Sequence, residues 1–272
     1  MGVGDVAGTL AATELDAIER NTYEAIQPGV VDIRDTGDAW VVRAPGPPGA
    51  IGYSRAAVLR LGSPDRASAR LDELTSGFHA DGRGAAFAVA HGVSHPERLS
   101  DLLRGRGLIE IEREVVMWTA DPPPVPHLDP VLRIEQVTDA SASDYVEVEA
   151  DAFGIPPGMA AGRLPSLRAG LALPGRRAYL VAVSGRHVAT ARLTVVNGLA
   201  SLTSIGVLTA ERGQGYGRLV TAVATRAGLM GGGRLAWLAV APDNEVALGL
   251  YRSLGYRQAF ERSLWIEPSF RA

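Results

Sequence analysis

Apolar and polar residues alternate with a period of two over several short stretches in the second half of the chain, which predicts β-strands there. The strongest turn signal between two such stretches is Asn197-Gly198, because both residues accept positive φ and together favour a two-residue hairpin. The segment Leu235–Val240 is apolar throughout, which indicates a strand buried on both faces. The predicted strands are 131–137, 178–183, 187–196, Leu199–Val207, Leu235–Val240 and a final strand pair over roughly 256–265.

Stretches with helical periodicity separate these strands and carry helix start and stop residues. Thr138 or Asp139 can cap a helix that runs to about Phe153, since both side chains accept hydrogen bonds from free main-chain N–H groups. Pro156-Pro157-Gly158 is predicted to break that helix, and a second helical stretch follows to about Leu171. Further helices are predicted from Arg218 to Gly231-Gly232-Gly233 and from Pro242-Asp243 to Leu254-Gly255.

A proline-rich segment divides the chain near its middle. Residues 121–130 hold five prolines, four of them within 122–126, which favours an extended linker between a domain at 1–120 and a domain at 131–272. The two halves show a weak internal sequence repeat. Residues 87–90 match 237–240, and 107–118 match 255–265, where both segments end at a Trp. These matches favour duplication over chance similarity, with a degenerate first half that has a helical stretch with Pro64 where the second half has a glycine loop.

Composition removes several classes of chemistry. The 272-residue chain has no cysteine and a net charge of −3, which excludes thiolate sites and gives no electrostatic reason to expect nucleic acid or an anionic membrane as a partner. All 27 basic residues are arginine, so a phosphate-binding loop or Schiff base that needs lysine is excluded. No basic or apolar targeting segment is visible, so a cytoplasmic location is expected. The five histidines have no ligand spacing, so no metal site is expected.

The most informative motif is a glycine loop between a strand and a helix. The chain reads Ile205-Gly206-Val207, then Arg212-Gly213-Gln214-Gly215-Tyr216-Gly217 and Arg218, where the helix begins. Glycines let a ligand approach the main chain, and the N–H groups at a helix N-terminus bind anions, with Arg212 or Arg218 able to add a charged contact. Arg218 stands where the dinucleotide-binding pattern needs its last glycine, which disfavours NAD.

Together with a second segment, this loop resembles the acetyl-CoA pyrophosphate loop of the GNAT N-acetyltransferase superfamily. The second segment comprises Asn244, Ala247, Tyr251, Gly255 and Tyr256. The resemblance implies an α/β (α+β) fold, in which helices flank a mixed, mostly antiparallel sheet, in two tandem copies. It further implies that 205–207 is a bulged strand that receives the cofactor arm, and that residues Arg212, Gly213, Gln214, Gly215, Tyr216, Gly217 and Arg218 bind the pyrophosphate.

The resemblance also assigns roles in catalysis. Asn244 is expected to hydrogen-bond the cofactor arm and Tyr251 to protonate the departing thiolate, against the alternative that Tyr251 is a packed aromatic. Many members of the family carry a glutamate where this chain has Ala239, so the identity of the general base stays open. The candidates are Glu149, with Glu147 and Asp151 on the same predicted helix, or a water relay.

The sequence therefore predicts an acyl-CoA-dependent N-acyltransferase that moves acetyl from acetyl-CoA directly to an amine. The acceptor is a small molecule or a peptide, no nucleic acid or membrane takes part, and homodimer formation is left open. The alternative is a catalytically silent acyl-CoA-binding regulatory module, motivated by Ala239. Transfer of a longer acyl group, or transfer to a hydroxyl, also stays open.

Overall fold

The computed structural model describes residues 9–45, 54–125, 131–160 and 162–270. Within them, the helices are α1 (Ala12–Glu24), α2 (Pro64–Ala80), α3 (Leu99–Gly105), α4 (Ala142–Phe153), α5 (Pro157–Ala160), α6 (Arg163–Leu171), α7 (Tyr216–Met230) and α8 (Glu245–Ser253). The strands are β1 (Asp32–Asp35), β2 (Trp40–Arg43), β3 (Arg55–Ala57), β4 (Ala86–Ala90), β5 (Ile109–Thr119), β6 (Leu132–Gln136), β7 (Arg176–Val183), β8 (Arg186–Val196), β9 (Leu199–Val207), β10 (Leu235–Val240) and β11 (Arg257–Ile266).

The chain forms two compact units whose boundary differs from the predicted domains. One unit comprises Met1–Val116 with Ala259–Ala272, and the other comprises Met117–Gln258. The C-terminal segment joins the first unit because β11 pairs antiparallel with β4, with Trp265 opposite Phe87. In the predicted linker, 121–125 form neither helix nor strand, and 126–130 lie outside the described residues.

In the first unit, a sheet in the order β1-β2-β3-β4-β11 packs against α2 and α3. The strands β3 and β4 are parallel, and the pairs on either side of them are antiparallel. The α2 helix contributes a buried apolar face that repeats at helical spacing, through Ala67, Leu71, Leu74 and Phe78. This spacing explains why the segment forms a helix that lies on the sheet.

In the second unit, the sheet order is β10-β9-β8-β7-β6. The pairs β6-β7, β7-β8 and β8-β9 are antiparallel, whereas β9-β10 is parallel and connected through α7. The predicted hairpin joins β8 to β9, with φ of 51° at Asn197 and 71° at Gly198. The mixed, mostly antiparallel sheet flanked by helices is thus confirmed.

The helices α4 and α7 cover opposite faces of this second sheet. A Cβ at Gly206 of β9 would meet Ala152 of α4, whereas Cβ atoms at Gly228 of α7 and Ala200 of β9 would lie 2.6 Å apart. Ala200 and Gly206 therefore mark the two faces. We call the face that α4 covers the α4 face.

The two halves of the chain repeat one order of elements. The series β3-α2-β4-α3-β5 in the first half corresponds to β9-α7-β10-α8-β11 in the second, and the central strands β3-β4 and β9-β10 are parallel in both. The sequence matches 87–90 with 237–240 and 107–118 with 255–265 fall on equivalent elements, which confirms the predicted tandem arrangement. In the first half, the segment before α2 starts its helix at Pro64, with Ser63 as N-cap.

Three local predictions are wrong in detail. The α4 helix begins at Ala142, with Ser141 and not Thr138 or Asp139 at the N-cap position. Thr138 stays outside the helix, where its N–H group donates to Ser141 Oγ. The α8 helix begins at Glu245 and not at Pro242-Asp243, with the side chain of Asn244 as its N-cap. The predicted strand pair at 256–265 is one continuous strand, β11.

Candidate functional site

The parallel strands β9 and β10 separate part-way along their length. Their ladder joins Leu199 to Leu235 and ends at the pair of Ser201 with Trp237. Beyond that pair, β9 continues to Val207 and β10 to Val240, with no further pairing between them among the described residues. Main-chain groups on the facing edges are therefore available to an extended ligand placed between the strands.

A β-bulge lies on β9 inside this separated region. The β8-β9 ladder pairs Arg192 with Thr203 and Thr190 with Gly206, so Ser204 and Ile205 stand opposite one residue of β8. Ser204 has φ of 50°, and Thr190 Oγ1 donates to its carbonyl oxygen at 3.0 Å. The bulge predicted at 205–207 is thus found one residue earlier, and it redirects the strand end that leads to the loop.

Gly206 allows α4 to approach this strand closely. A Cβ at this position would lie 2.7 Å from Ala152 Cβ and 3.0 Å from Phe153 Cε2. Both distances are shorter than ordinary carbon contacts, so only glycine fits without movement of α4. The C-terminal end of α4 is thereby held against the bulged strand.

The glycine loop forms a main-chain cradle at the N-terminus of α7. Gly213 and Gly215 have φ of 81° and 85°, and no atom lies within 4 Å of the position of a Cβ at either one. Throughout the described chain, no residue accepts a hydrogen bond from the main-chain N–H groups of 213–218; the first such bond runs from Leu219 N to Gly215 O. These N–H groups at the positive end of a helix dipole suit an oxyanion such as a pyrophosphate.

The two arginines that flank the cradle both bond to the protein. Arg212 Nη2 donates to the carbonyl oxygen of Ala152 at 2.9 Å, and Arg218 Nη1 donates to Ser253 Oγ at 3.1 Å. Asp151 Oδ2 accepts from Thr209 N at 2.7 Å, so the end of α4 is fixed to the loop from two sides. The remaining guanidinium N–H groups are at an exposed edge of the loop and can still face an anion.

The α8 helix brings the second segment beside this loop. A Cβ at Gly217 would lie 3.3 Å from Val207 Cγ2 and 3.5 Å from Leu250 Cδ1, so the first turn of α7 packs closely against both β9 and α8. Asn244 Oδ1 accepts from Ala247 N at 3.1 Å and caps α8. Its side-chain NH₂ group is left for a ligand.

Tyr251 is buried on α8, with its ring centroid 6.0 Å from that of Tyr256. Burial raises the pKa of Tyr251 to about 12, so the phenol is protonated at neutral pH. The Tyr256 hydroxyl has a different environment, since it lies 2.7 Å from Thr225 Oγ1. Of these two tyrosines, Tyr256 is therefore held by Thr225, and the Tyr251 hydroxyl does not take part in that hydrogen bond.

Glu149 lies on the α4 face with no exposed surface. Arg163 Nε donates to Glu149 Oε2 at 2.9 Å, and Arg192 Nη2 lies 3.8 Å from Glu149 Oε1. Burial by itself raises the pKa of a carboxyl group, but the hydrogen bonds from Arg163 and Ser204 and the charge of Arg192 outweigh it and hold the pKa of Glu149 below its usual value. Glu149 is thus an anion at neutral pH.

The other candidate bases have different surroundings. Glu147 is exposed on α4, and Asp151 is engaged with Thr209 N. Ala239 is half-buried on β10, where it adds no ionisable group. The roles predicted for Tyr251, Glu149, Asn244 and the loop remain predictions.

Sequence reasoning missed part of the site. Tyr145, Arg163 and Arg192 surround Glu149, and Arg176 lies near Arg192 on the sheet. Arg176 and Arg192 occupy positions in β7 and β8 that share a face with buried residues. A charged residue at such a position of an alternating strand is the signal that could have found them.

Within the described residues, no group of three or more metal-binding side chains is present. No helix in the described part of the chain combines the length and apolarity needed to cross a membrane.

Comparison with known proteins now bears on this geometry. Residues 142–256, which include α4, the bulged strand, the glycine loop and α8, match the model of the acetyltransferase (GNAT) family. This part of the chain is a GNAT acetyltransferase domain. A search of the curated proteins gave no significant match.

Solved structures extend the similarity in fold to the whole chain. A GCN5-related N-acetyltransferase from Kribbella flavida is 22% identical, with a TM-score of 0.73 over 96% of this chain and 97% of that one. A GCN5-related N-acetyltransferase from Sphaerobacter thermophilus is 17% identical, with a TM-score of 0.63 over 97% and 96%. A tandem GNAT protein from the clavulanic acid biosynthesis pathway is 16% identical, with a TM-score of 0.62 over 96% and 90%.

These matches confirm the predicted family and the tandem GNAT fold. The GNAT family consists of N-acetyltransferases and in general uses acetyl-CoA as co-substrate, which supports acyl-CoA-dependent N-acetyl transfer as the general activity.

Proposed function

We propose that the second unit transfers an acetyl group from acetyl-CoA directly to an amine. The observation that carries this proposal is the run of main-chain N–H groups at 213–218, which lack an acceptor within the described residues and lie at the N-terminus of α7. This cradle fits a pyrophosphate, and the separated strands β9 and β10 beside it fit an extended arm.

The residues around the separated strands supply the remaining steps. Main-chain N–H groups near Val207 polarise the acyl carbonyl, and the amine of the acceptor attacks that carbonyl from the α4 face. Tyr251 donates a proton to the sulfur that leaves, since its pKa of about 12 keeps it protonated until the thiolate develops. Asn244 uses its NH₂ group to bond the arm of the co-substrate.

Removal of the amine proton is assigned to Glu149 or to a water relay. The low pKa of Glu149 and its contacts with Arg163 weaken it as a base, since a base works best with a pKa near the working pH. A relay in which main-chain carbonyls orient water molecules that pass the proton to solvent needs no ionisable group at Ala239.

The test has two readouts on the full chain. CoA at about 100 times its Kd should stabilise the protein by about 2.7 kcal/mol in thermal unfolding. A panel of amines with acetyl-CoA should then release free thiol in an acceptor-dependent way. No stabilisation by CoA and by acetyl-CoA would refute the proposal.

A second candidate function is a silent acyl-CoA-binding regulatory module. Ala239 and the ion-paired state of Glu149 favour it, because neither position offers a strong base. It predicts stabilisation by CoA without release of thiol on any amine. A cytoplasmic location belongs to both proposals, whereas a small-molecule or peptide acceptor belongs to the first alone.

A further inference from the structure

Two arginines lie side by side on the α4 face of the second sheet. In the β7-β8 ladder, Arg176 pairs with Thr194 and Ala178 pairs with Arg192, so the two arginines are diagonal neighbours with side chains on one face. Arg177, between them in register, points to the opposite face and donates to Ala227 O of α7. Both Arg176 and Arg192 are half-buried, and 30% of the Arg192 side chain stays exposed.

Arg192 is only partly neutralised by its neighbours. Its Nη2 lies 3.8 Å from Glu149 Oε1, and its guanidinium carbon is 5.6 Å from the centroid of the Tyr145 ring. The stronger bond to Glu149 comes from Arg163. Arg192 Nε and the fully buried Tyr145 hydroxyl make no well-aligned hydrogen bond among the described residues, and the hydroxyl has Ser204 and Arg192 as its polar neighbours.

The positive charge of Arg176 is compensated even less by its neighbours. Its one hydrogen bond runs from Nη1 to Thr194 Oγ1 at 3.5 Å, and within the described residues no carboxylate lies within ion-pair distance of it. Burial and then the charge of Arg192 lower the pKa of Arg176, as expected for two like charges on adjacent strands. The cluster as a whole has three guanidinium groups and one carboxylate: Arg163 and Arg192 face Glu149, and Arg176 lies beside Arg192.

This cationic cluster adjoins the place where the acyl group is transferred. Arg192 pairs with Thr203, the last ladder pair before the bulge at Ser204. Glu149 lies one helical turn before Ala152 and Phe153, whose side chains abut Gly206. An acceptor that reaches the bulged strand from the α4 face therefore passes the two arginines.

We propose that Arg176 and Arg192 bind an oxyanion of the acceptor, a carboxylate or a phosphate, so that the acceptor is a small amine that also carries an anionic group. The inference rests on the proposed function, because it names the substrate class of the same site. Guanidinium groups bind both oxyanions through paired hydrogen bonds, and an anion there offsets the repulsion between the two cations. A polycationic acceptor would meet the same repulsion that Arg176 and Arg192 exert on each other.

The test compares matched amines on the full chain with CoA bound. Glycine, β-alanine and γ-aminobutyrate vary the distance between amine and carboxylate, and each is titrated against its own amide at fixed ionic strength. O-phosphoethanolamine against ethanolamine forms the phosphate arm, and 1,3-diaminopropane represents a cationic acceptor. We expect at least one anionic member to bind about tenfold more tightly than its neutral partner, as one charged bidentate contact provides.

Variants assign this preference to the two arginines. Arg176→Gln should remove most of the preference for the anion and leave the unfolding temperature equal or higher, because it relieves repulsion and breaks no ion pair. Arg192→Gln should also remove the preference, at some loss of stability, because Glu149 loses a neighbouring charge. Arg168→Gln is the matched control: Arg168 is exposed on α6 and pairs with Asp139, away from the cluster.

The outcomes separate this inference from the proposed function. The inference is overturned if anionic and neutral partners bind equally, if no anionic member binds measurably, or if the diamine binds more tightly. It is also overturned if the preference for the anion survives both Arg176→Gln and Arg192→Gln. Failure of CoA to stabilise the chain instead overturns the proposed function. Release of thiol with neutral and anionic amines at equal KM leaves the proposed function intact and removes the oxyanion site.

Discussion

Arg163 Nε donates a 2.9 Å hydrogen bond to Glu149 Oε2, and the Glu149 side chain has no exposed surface. The bond joins α6 to α4 directly above the sheet. It also fixes the ionisation state of the carboxylate, since the arginine holds the pKa of Glu149 below its usual value despite burial. The pair is therefore first a structural contact between two helices, and any role in proton transfer starts from an anion that is already well compensated.

Glu149→Gln should destabilise the protein by about 3 kcal/mol at pH 7, because it removes a fully buried carboxylate and leaves the half-buried guanidinium groups of Arg163 and Arg192 without their counter-charge. Folding depresses the pKa of Glu149 below its usual 4.5, so its stabilisation is present above pH 4.5 and is lost as the pH falls through the folded value. The stability difference between wild type and variant should therefore be constant near neutrality and narrow in acid.

Denaturant unfolding at several pH values measures this difference. Glu147→Gln is the control, since Glu147 is exposed on the same helix and should change stability by less than about 0.5 kcal/mol. A Glu149→Gln protein as stable as the control, with a strongly reduced kcat, would contradict the structural role and restore Glu149 as the base.

Tyr251→Phe should lower kcat about 100-fold or more with little change in the Kd for acetyl-CoA, because the hydroxyl acts only as the thiolate leaves. With a pKa of about 12, Tyr251 stays protonated at every pH at which the fold is assayed, so it should cause no alkaline fall in kcat. Steady-state kinetics with equilibrium binding of acetyl-CoA separates the two parameters.

Tyr256→Phe provides the matched control for this change. Its hydroxyl lies 2.7 Å from Thr225 Oγ1 in a buried site, so the variant should lose about 1 kcal/mol of stability and keep its kcat. Unchanged turnover in Tyr251→Phe would remove Tyr251 from the chemistry.

Gly213→Ala should weaken CoA binding because its φ of 81° places the loop N–H groups toward the ligand. Alanine in this region costs about 1–2 kcal/mol, and the loop is expected to relax away from the conformation that binds the pyrophosphate. Gly37→Ala is a close control, since Gly37 has φ of 87° and equally open space in the first unit. Both variants should lose similar stability, and only Gly213→Ala should lose affinity for CoA; equal CoA affinity in the two would argue against the cradle.

The glycine loop and its surrounding strands could be predicted because their signals are local. The motif at 212–217 sets the turn and the start of α7 through positive φ at glycines, and Asn197-Gly198 sets the hairpin by the same means. Such conformations depend on the residue itself and need no knowledge of distant contacts.

The pairing of β11 and the cluster around Glu149 could not be predicted in this way. The sequence 257–266 reads equally well as a strand of either half, and only the choice of β4 as its neighbour places it in the first unit. Arg163, Arg176 and Arg192 come from three separate elements. The approach of Arg163 and Arg192 to one carboxylate, with Arg176 beside Arg192, therefore depends on strand register and on how α6 and α4 pack. Nothing in a single local pattern contains that information.

Gly206→Ala should destabilise the protein by about 1–3 kcal/mol and reduce activity more than this loss explains, because the new Cβ would lie 2.7 Å from Ala152 Cβ. The helix end that must move also carries Asp151 and the acceptor for Arg212, which fix the loop, so the strain is expected to reach the CoA site. Ala152→Gly removes the atom that clashes and costs about 1 kcal/mol by itself through lower helix propensity. The double variant should then be more stable than the sum of the two single changes predicts, by 0.5 kcal/mol or more on the scale of coupled neighbours. Additive effects in unfolding experiments would mean that Gly206 is required for a reason other than the close approach of α4 to the bulged strand.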